Sequence, residues 1–133
     1  MRAHRNINWS GIWTSFIAVL ATFVMIIGTN VIVHEYILKG AYATMGDIIS
    51  ISNGSQWVFF LVMVMITFFI VELNRHLKES SIAIGLVVSI IFSLPTLLNQ
   101  FYFAIPAMVT VWTILANVFS ITLGSYVYDL IRK

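Results

Sequence analysis

The sequence contains no cysteine, which excludes disulfides, thiolate metal centres, iron–sulfur clusters and cysteine nucleophiles together. Charge is nearly as scarce. Asp, Glu, Lys and Arg make up 9% of the 133 residues, against roughly a quarter in a soluble domain. The formal net charge is only +2, and no block of like charges offers a footprint for nucleic acid or another soluble polyanion. A nucleophile motif, a phosphate-binding loop and a pair of intramembrane carboxylates are missing too.

What is present is hydrocarbon. Hydrophobic residues are 60% of the chain and the mean hydropathy is +0.98. They gather into four blocks, each long enough at about 1.5 Å per residue to cross a ~30 Å hydrocarbon core. The spacing predicts helices over about 11–33, 55–73, 81–98 and 106–128. The first block is read as a retained helix, because it is about twice the length of a 7–15-residue signal core and no small-x-small cleavage site closes it. The expected fold is therefore an all-α integral membrane protein. It is a single domain over residues 1–133, a bundle of four transmembrane helices with a polar outer loop over 34–54. Asp47 could cap a short interfacial helix in that loop. Asn53-Gly54-Ser55 matches a glycosylation sequon but abuts the second span too closely for modification.

Orientation follows from the basic residues. Arg2, Arg5, Arg75, Lys78, Arg132 and Lys133 fall on one side of the membrane and only Lys39 on the other. The positive-inside rule then places both termini and the hinge in the cytoplasm of a cell membrane. Aromatic belts agree, with Trp9, Trp13, Tyr126 and Tyr128 inside and Tyr36, Tyr42, Trp57 and Tyr102 outside. The topology-setting hinge is Glu72, Arg75, His76, Lys78 and Glu79, of which Glu72, Arg75, His76 and Glu79 fall on one face and can pair at i,i+3 and i,i+4.

Small and polar residues mark the seams. In the first span Gly11, Ser15, Ala18, Thr22, Met25 and Thr29 share a face. In the third, Ser81, Gly85, Ser89 and Ser93 are spaced by four, ahead of a kink or early end at Pro95. The fourth span carries Thr110, Thr113, Asn117, Ser120 and Gly124 on one side, with Asn117 near mid-bilayer. The second span is apolar all round except Thr67, and is expected at the periphery of a core made by the other three.

Chemistry has little to work with. Haem b needs two histidines at one depth, whereas His4, His34 and His76 lie at the interfaces, so no cofactor is expected. Glu72 and His76, one turn apart, could share a proton or hold a metal ion, but a solvated anchoring cluster accounts for them equally, and neither a catalytic nor a metal site is assigned. Proton antiport of the small-multidrug-exporter kind, similar in length and helix number, requires an intramembrane carboxylate that is missing. The function expected is a non-catalytic membrane subunit or accessory factor acting through transmembrane helix packing. The alternative is a small homo-oligomeric channel, transporter or flippase-like protein using the polar face of the fourth span. Partners are the lipid bilayer and another membrane protein or a second copy.

Overall fold

A computed structural model describes residues 8–44, 53–103 and 105–133 of the chain. Every regular element among them is helical: α1 Trp9–Ile32, α2 Lys39–Thr44, α3 Asn53–His76, α4 Ser81–Tyr102 and α5 Ala107–Arg132. Four helices are long and apolar enough to cross a membrane, α1 (with the turn that extends it), α3, α4 and α5. They correspond to the four apolar blocks.

Each helix extends beyond the boundary drawn from hydropathy, because helical backbone continues where apolar composition stops. At its start α1 is capped by Asn8, whose side chain accepts from Gly11 N–H at 3.2 Å. At its end a π-helical turn, Val33–Ile37, prolongs it, with Leu38 N–H reaching Val33 O at 2.8 Å. Within the 34–54 segment α2 follows that turn, while the cap expected at Asp47 lies outside the described residues. Residues 53–55, the sequon, form the first turn of α3. Ser80 caps α4, accepting from Ala83 N–H at 3.1 Å. Pro95 neither ends nor breaks α4, which runs on to Tyr102. The ring costs one i→i−4 bond, and the surrounding turns hold the helix together.

The spans alternate in direction, so the start of α1, the end of α3, the start of α4 and the end of α5 share one end of the bundle. Arg132 on Ser15, and Ser81 on Asp129 at 3.4 Å, tie that end together. Arg75, Lys78, Arg132 and Lys133 lie there, and Lys39 lies at the other end.

α5 is the centre of the bundle. It packs along α1 on one side and along α4 on another, and these two flanking helices hardly meet. The first, third and fourth spans thus form the core, as their small-residue stripes lead one to expect, with the fourth, α5, standing between the other two. α3 lies outside, touching all three more lightly, and buries a stripe of Met63, Ile66, Thr67, Ile70 and Val71. The main core joins Ile26, Ile66, Ile70, Ile84, Val88 and Ile121 from all four spans. A second cluster at the α2 end joins Val33, Leu38, Val109 and Ala116.

The two faces of α5 are made differently. Toward α4 the approach is backbone to backbone, since a Cβ on Gly85 would come within 2.6 Å of Thr122 Cα. Toward α1 it is side chain into notch, since a Cβ on Gly124 would meet Ile26 Cγ1 at 3.1 Å and Thr22 Cγ2 at 3.4 Å. Small residues allow both, which matters in lipid, where close packing takes over from the hydrophobic drive between helices.

Candidate functional site: the polar seam of the central helix

The polar stripe of α5 meets several neighbours. Its members are taken up from several directions. Near the α2 end, Thr110 donates to the side-chain carbonyl of Gln100 on α4, whose amide donates to Ile105 O at 2.8 Å. Thr113 stands beside the Tyr42 hydroxyl of α2. Ser120 accepts from the Asn30 amide of α1 at 3.2 Å, and Gly124 O accepts from the Thr22 hydroxyl at 3.2 Å. Ser125 then joins three helices, accepting from Asn74 of α3 at 2.8 Å and donating to Ser81 O of α4 at 2.6 Å. Burial raises the stakes of each bond, because an unpaired polar group in hydrocarbon has no water to turn to.

Asn117 is the exception. It is buried, 8% exposed, and its backbone carbonyl accepts from Ser120. Its carboxamide bonds none of the described residues. The Ser93 and Thr122 hydroxyls, also buried, have no partner among the described residues. Ser89 turns inward on its own helix, donating to Leu86 O at 2.8 Å.

On α1 the buried line is Ala18, Thr22, Ile26 and Asn30, a strict step of four. The expected face drifted off it after Thr22, and Met25 and Thr29 are only half-buried. Sequence reading therefore missed Asn30, the most polar buried side chain of α1. Extending the Thr22 register by four and eight residues would have found it. Asn74, for which hydropathy and charge pattern predict no role among its charged neighbours in 72–79, is the residue there that reaches another helix.

At the hinge, Glu72 accepts from Arg75 at 3.1 Å and pairs with His76 at 3.0 Å. α3 ends at His76, so Lys78 and Glu79 lie in the link to α4 and not on a shared helical face. One carboxylate is thus held by a guanidinium and an imidazole at once. Tyr128, expected as an interfacial anchor, is instead buried against Ala18 and Val71. Trp9, Trp13, Tyr36, Trp57 and Tyr102 are exposed.

At the opposite end, His34 Nδ1 and the Tyr42 hydroxyl share a 2.5 Å hydrogen bond, with the rings stacked at a centroid distance of 5.9 Å. This pair folds α2 back over the π-helical turn. Burial pushes the Tyr42 pKa up, the Thr113 hydroxyl beside it opposes that shift, and the charge of Glu35 adds to it.

Comparison of the chain with protein-family models, with curated proteins and with solved structures finds no match. The functional reading therefore rests on the geometry of the bundle.

Proposed function

We propose that the protein is a non-catalytic multi-pass subunit or accessory factor of a cell membrane, acting through its transmembrane helices. The observation that carries this reading is the use of the polar groups of α5. Thr110, Ser120 and Ser125 each bond a group on another helix of the bundle. Groups spent on holding helices together are not free to coordinate a passing solute. The apolar surface of α3, with Trp57, Val58, Leu61, Met65 and Phe68 exposed, would meet lipid or the spans of a partner. Both termini and the 77–80 link would face the cytoplasm, in keeping with the positive charges at that end of the bundle.

Mild detergent extraction, followed by the mass of the complex and identification of every co-purifying chain, tests this. A defined complex with a larger unrelated membrane protein supports the reading, and a homo-oligomer with no other chain refutes it. Topology is testable separately. The chain lacks cysteine, so Lys39→Cys and Lys78→Cys each introduce a single thiol. An impermeant maleimide should label the first on intact cells and the second only after permeabilisation.

One observation favours a second reading, a small homo-oligomeric channel or transporter. The Ser93 and Thr122 hydroxyls are buried without described partners and the Asn117 carboxamide bonds no described residue, and water entering between protomers would satisfy them. Flux through reconstituted vesicles that is lost in Asn117→Leu would move the function to this class.

A further inference from the structure

A groove of about 650 Å³ opens at the basic end of the bundle, between the 77–80 link and the last turn of α5. That volume lies within the ~300–1,000 Å³ range of small-ligand sites. Its charges balance, with Lys78 and Lys133 against Glu79 and Asp129. A smaller hollow of about 240 Å³ shares Asn74, Asp129 and Lys133 with it.

The pairing within the groove is incomplete. Asp129 directs both of its bonds through Oδ2, to Lys133 at 2.6 Å and to Ser81 at 3.4 Å. Oδ1 has no partner among the described residues. Lys78 and Glu79 are exposed, and neither forms an ion pair among the described residues. One free cation and two free acceptors thus stand together where the spans end. Leu77 and Ile82, both about half exposed, supply the groove with apolar surface.

We propose that this groove binds the zwitterionic headgroup of an ethanolamine phospholipid, with Lys78 and Lys133 on the phosphate and Glu79 and Asp129 on the ammonium. Charge balance is the reason for choosing a zwitterion. An anionic-lipid site would carry surplus positive charge; the lining of this groove has none, and of the two arginines that line the adjoining hollow Arg75 is held by Glu72 and Arg132 is turned to Ser15. Primary ammonium is preferred to the choline headgroup because it donates hydrogen bonds to carboxylates and a trimethylammonium cannot. The acyl chains would follow Leu77 and Ile82 into the bilayer. This assignment rests on the membrane location of the chain and not on the subunit reading, and it would hold for a channel equally.

The test uses the full chain in nanodiscs of equimolar phosphatidylethanolamine, phosphatidylcholine and phosphatidylglycerol, with retained lipids counted by native mass spectrometry after release. The wild type should retain ethanolamine lipid about two- to fivefold over choline lipid, the size of one partly exposed charge contact. Glu79→Gln should erase that preference and leave phosphatidylglycerol unchanged, whereas Lys78→Gln should lower all three. Both residues are exposed link positions, so the bundle is kept. Asp129→Asn provides a second carboxylate variant with the same expectation as Glu79→Gln. Equal retention of the three lipids overturns the proposal, as does a preference for phosphatidylglycerol, which would mark a plain cationic patch. Soluble phosphoethanolamine at millimolar concentration should compete only weakly, since it lacks the apolar part. If it binds as well as the lipid, the site is one for a free phosphate ester and the lipid assignment fails.

Discussion

Replacing Gly85 by alanine probes the contact on which the arrangement of α4 against α5 depends. The new Cβ would lie 2.6 Å from Thr122 Cα, 3.1 Å from Ser125 Cβ and 3.2 Å from Ile121 O. Ordinary contact begins near 3.4 Å, so the helices must separate by roughly 0.8 Å at the closest point. Two of the three atoms are backbone, and rotamer changes cannot relieve them. Separation also stretches the 2.6 Å bond from Ser125 to Ser81 O. Overpacking of this kind costs about 1–3 kcal/mol, and the higher helix propensity of alanine returns at most about 1 kcal/mol. Net destabilisation of about 1–2 kcal/mol is expected. Unfolding in mixed micelles with increasing dodecyl sulfate, followed by tryptophan fluorescence, would measure it. Gly124→Ala should cost less, because its nearest neighbours are the Ile26 and Thr22 side chains, which can give way. Gly28→Ala should be neutral or slightly stabilising, since nothing lies within 4 Å. If Gly85→Ala is as stable as Gly28→Ala, the close α4–α5 approach is wrong.

Asn30→Val removes the amide that bridges α1 to Ser120 and should cost about 0.6–1.7 kcal/mol, read in the same unfolding assay; an unchanged midpoint would show that the bond contributes nothing. Asn117→Leu should preserve or raise stability, since no described residue bonds its carboxamide, and a clear loss of assembly would reveal a partner contact at that position. Tyr42 predicts an alkaline response. Its folded pKa lies above the unfolded value of about 10, so the folded state keeps the proton longer. The resulting stability is complete below that pH and is lost as pH rises through the folded value. Absorbance titration should show one tyrosine ionising late, and Tyr42→Phe should abolish that late step.

The sequence by itself determined the number of spans, their alternation and the grouping of charge at one end. These are properties of composition along the chain, since an 18-residue apolar run has few places to go except across a bilayer. It also marked Gly85, Ser89, Ser93, Ser120 and Gly124 as seam residues, because small side chains at steps of three and four share a helix face whatever that face meets. Only the tertiary structure decided which seam meets which. It put α5 between α1 and α4, because α5 alone carries two small-residue faces, Gly124 with Ser120 toward α1 and the Thr122–Ser125 edge toward Gly85. It divided the polar stripe of α5 among α1, α2, α3 and α4, which no one-dimensional pattern encodes. It brought Asn30 and Asn74 into the seam and took Tyr128 out of the interface, since helix rotation is settled by packing partners and not by hydropathy. The groove around Asp129 belongs to the same class of fact. Its residues come from stretches about fifty positions apart in sequence, and only the antiparallel return of α5 brings them together.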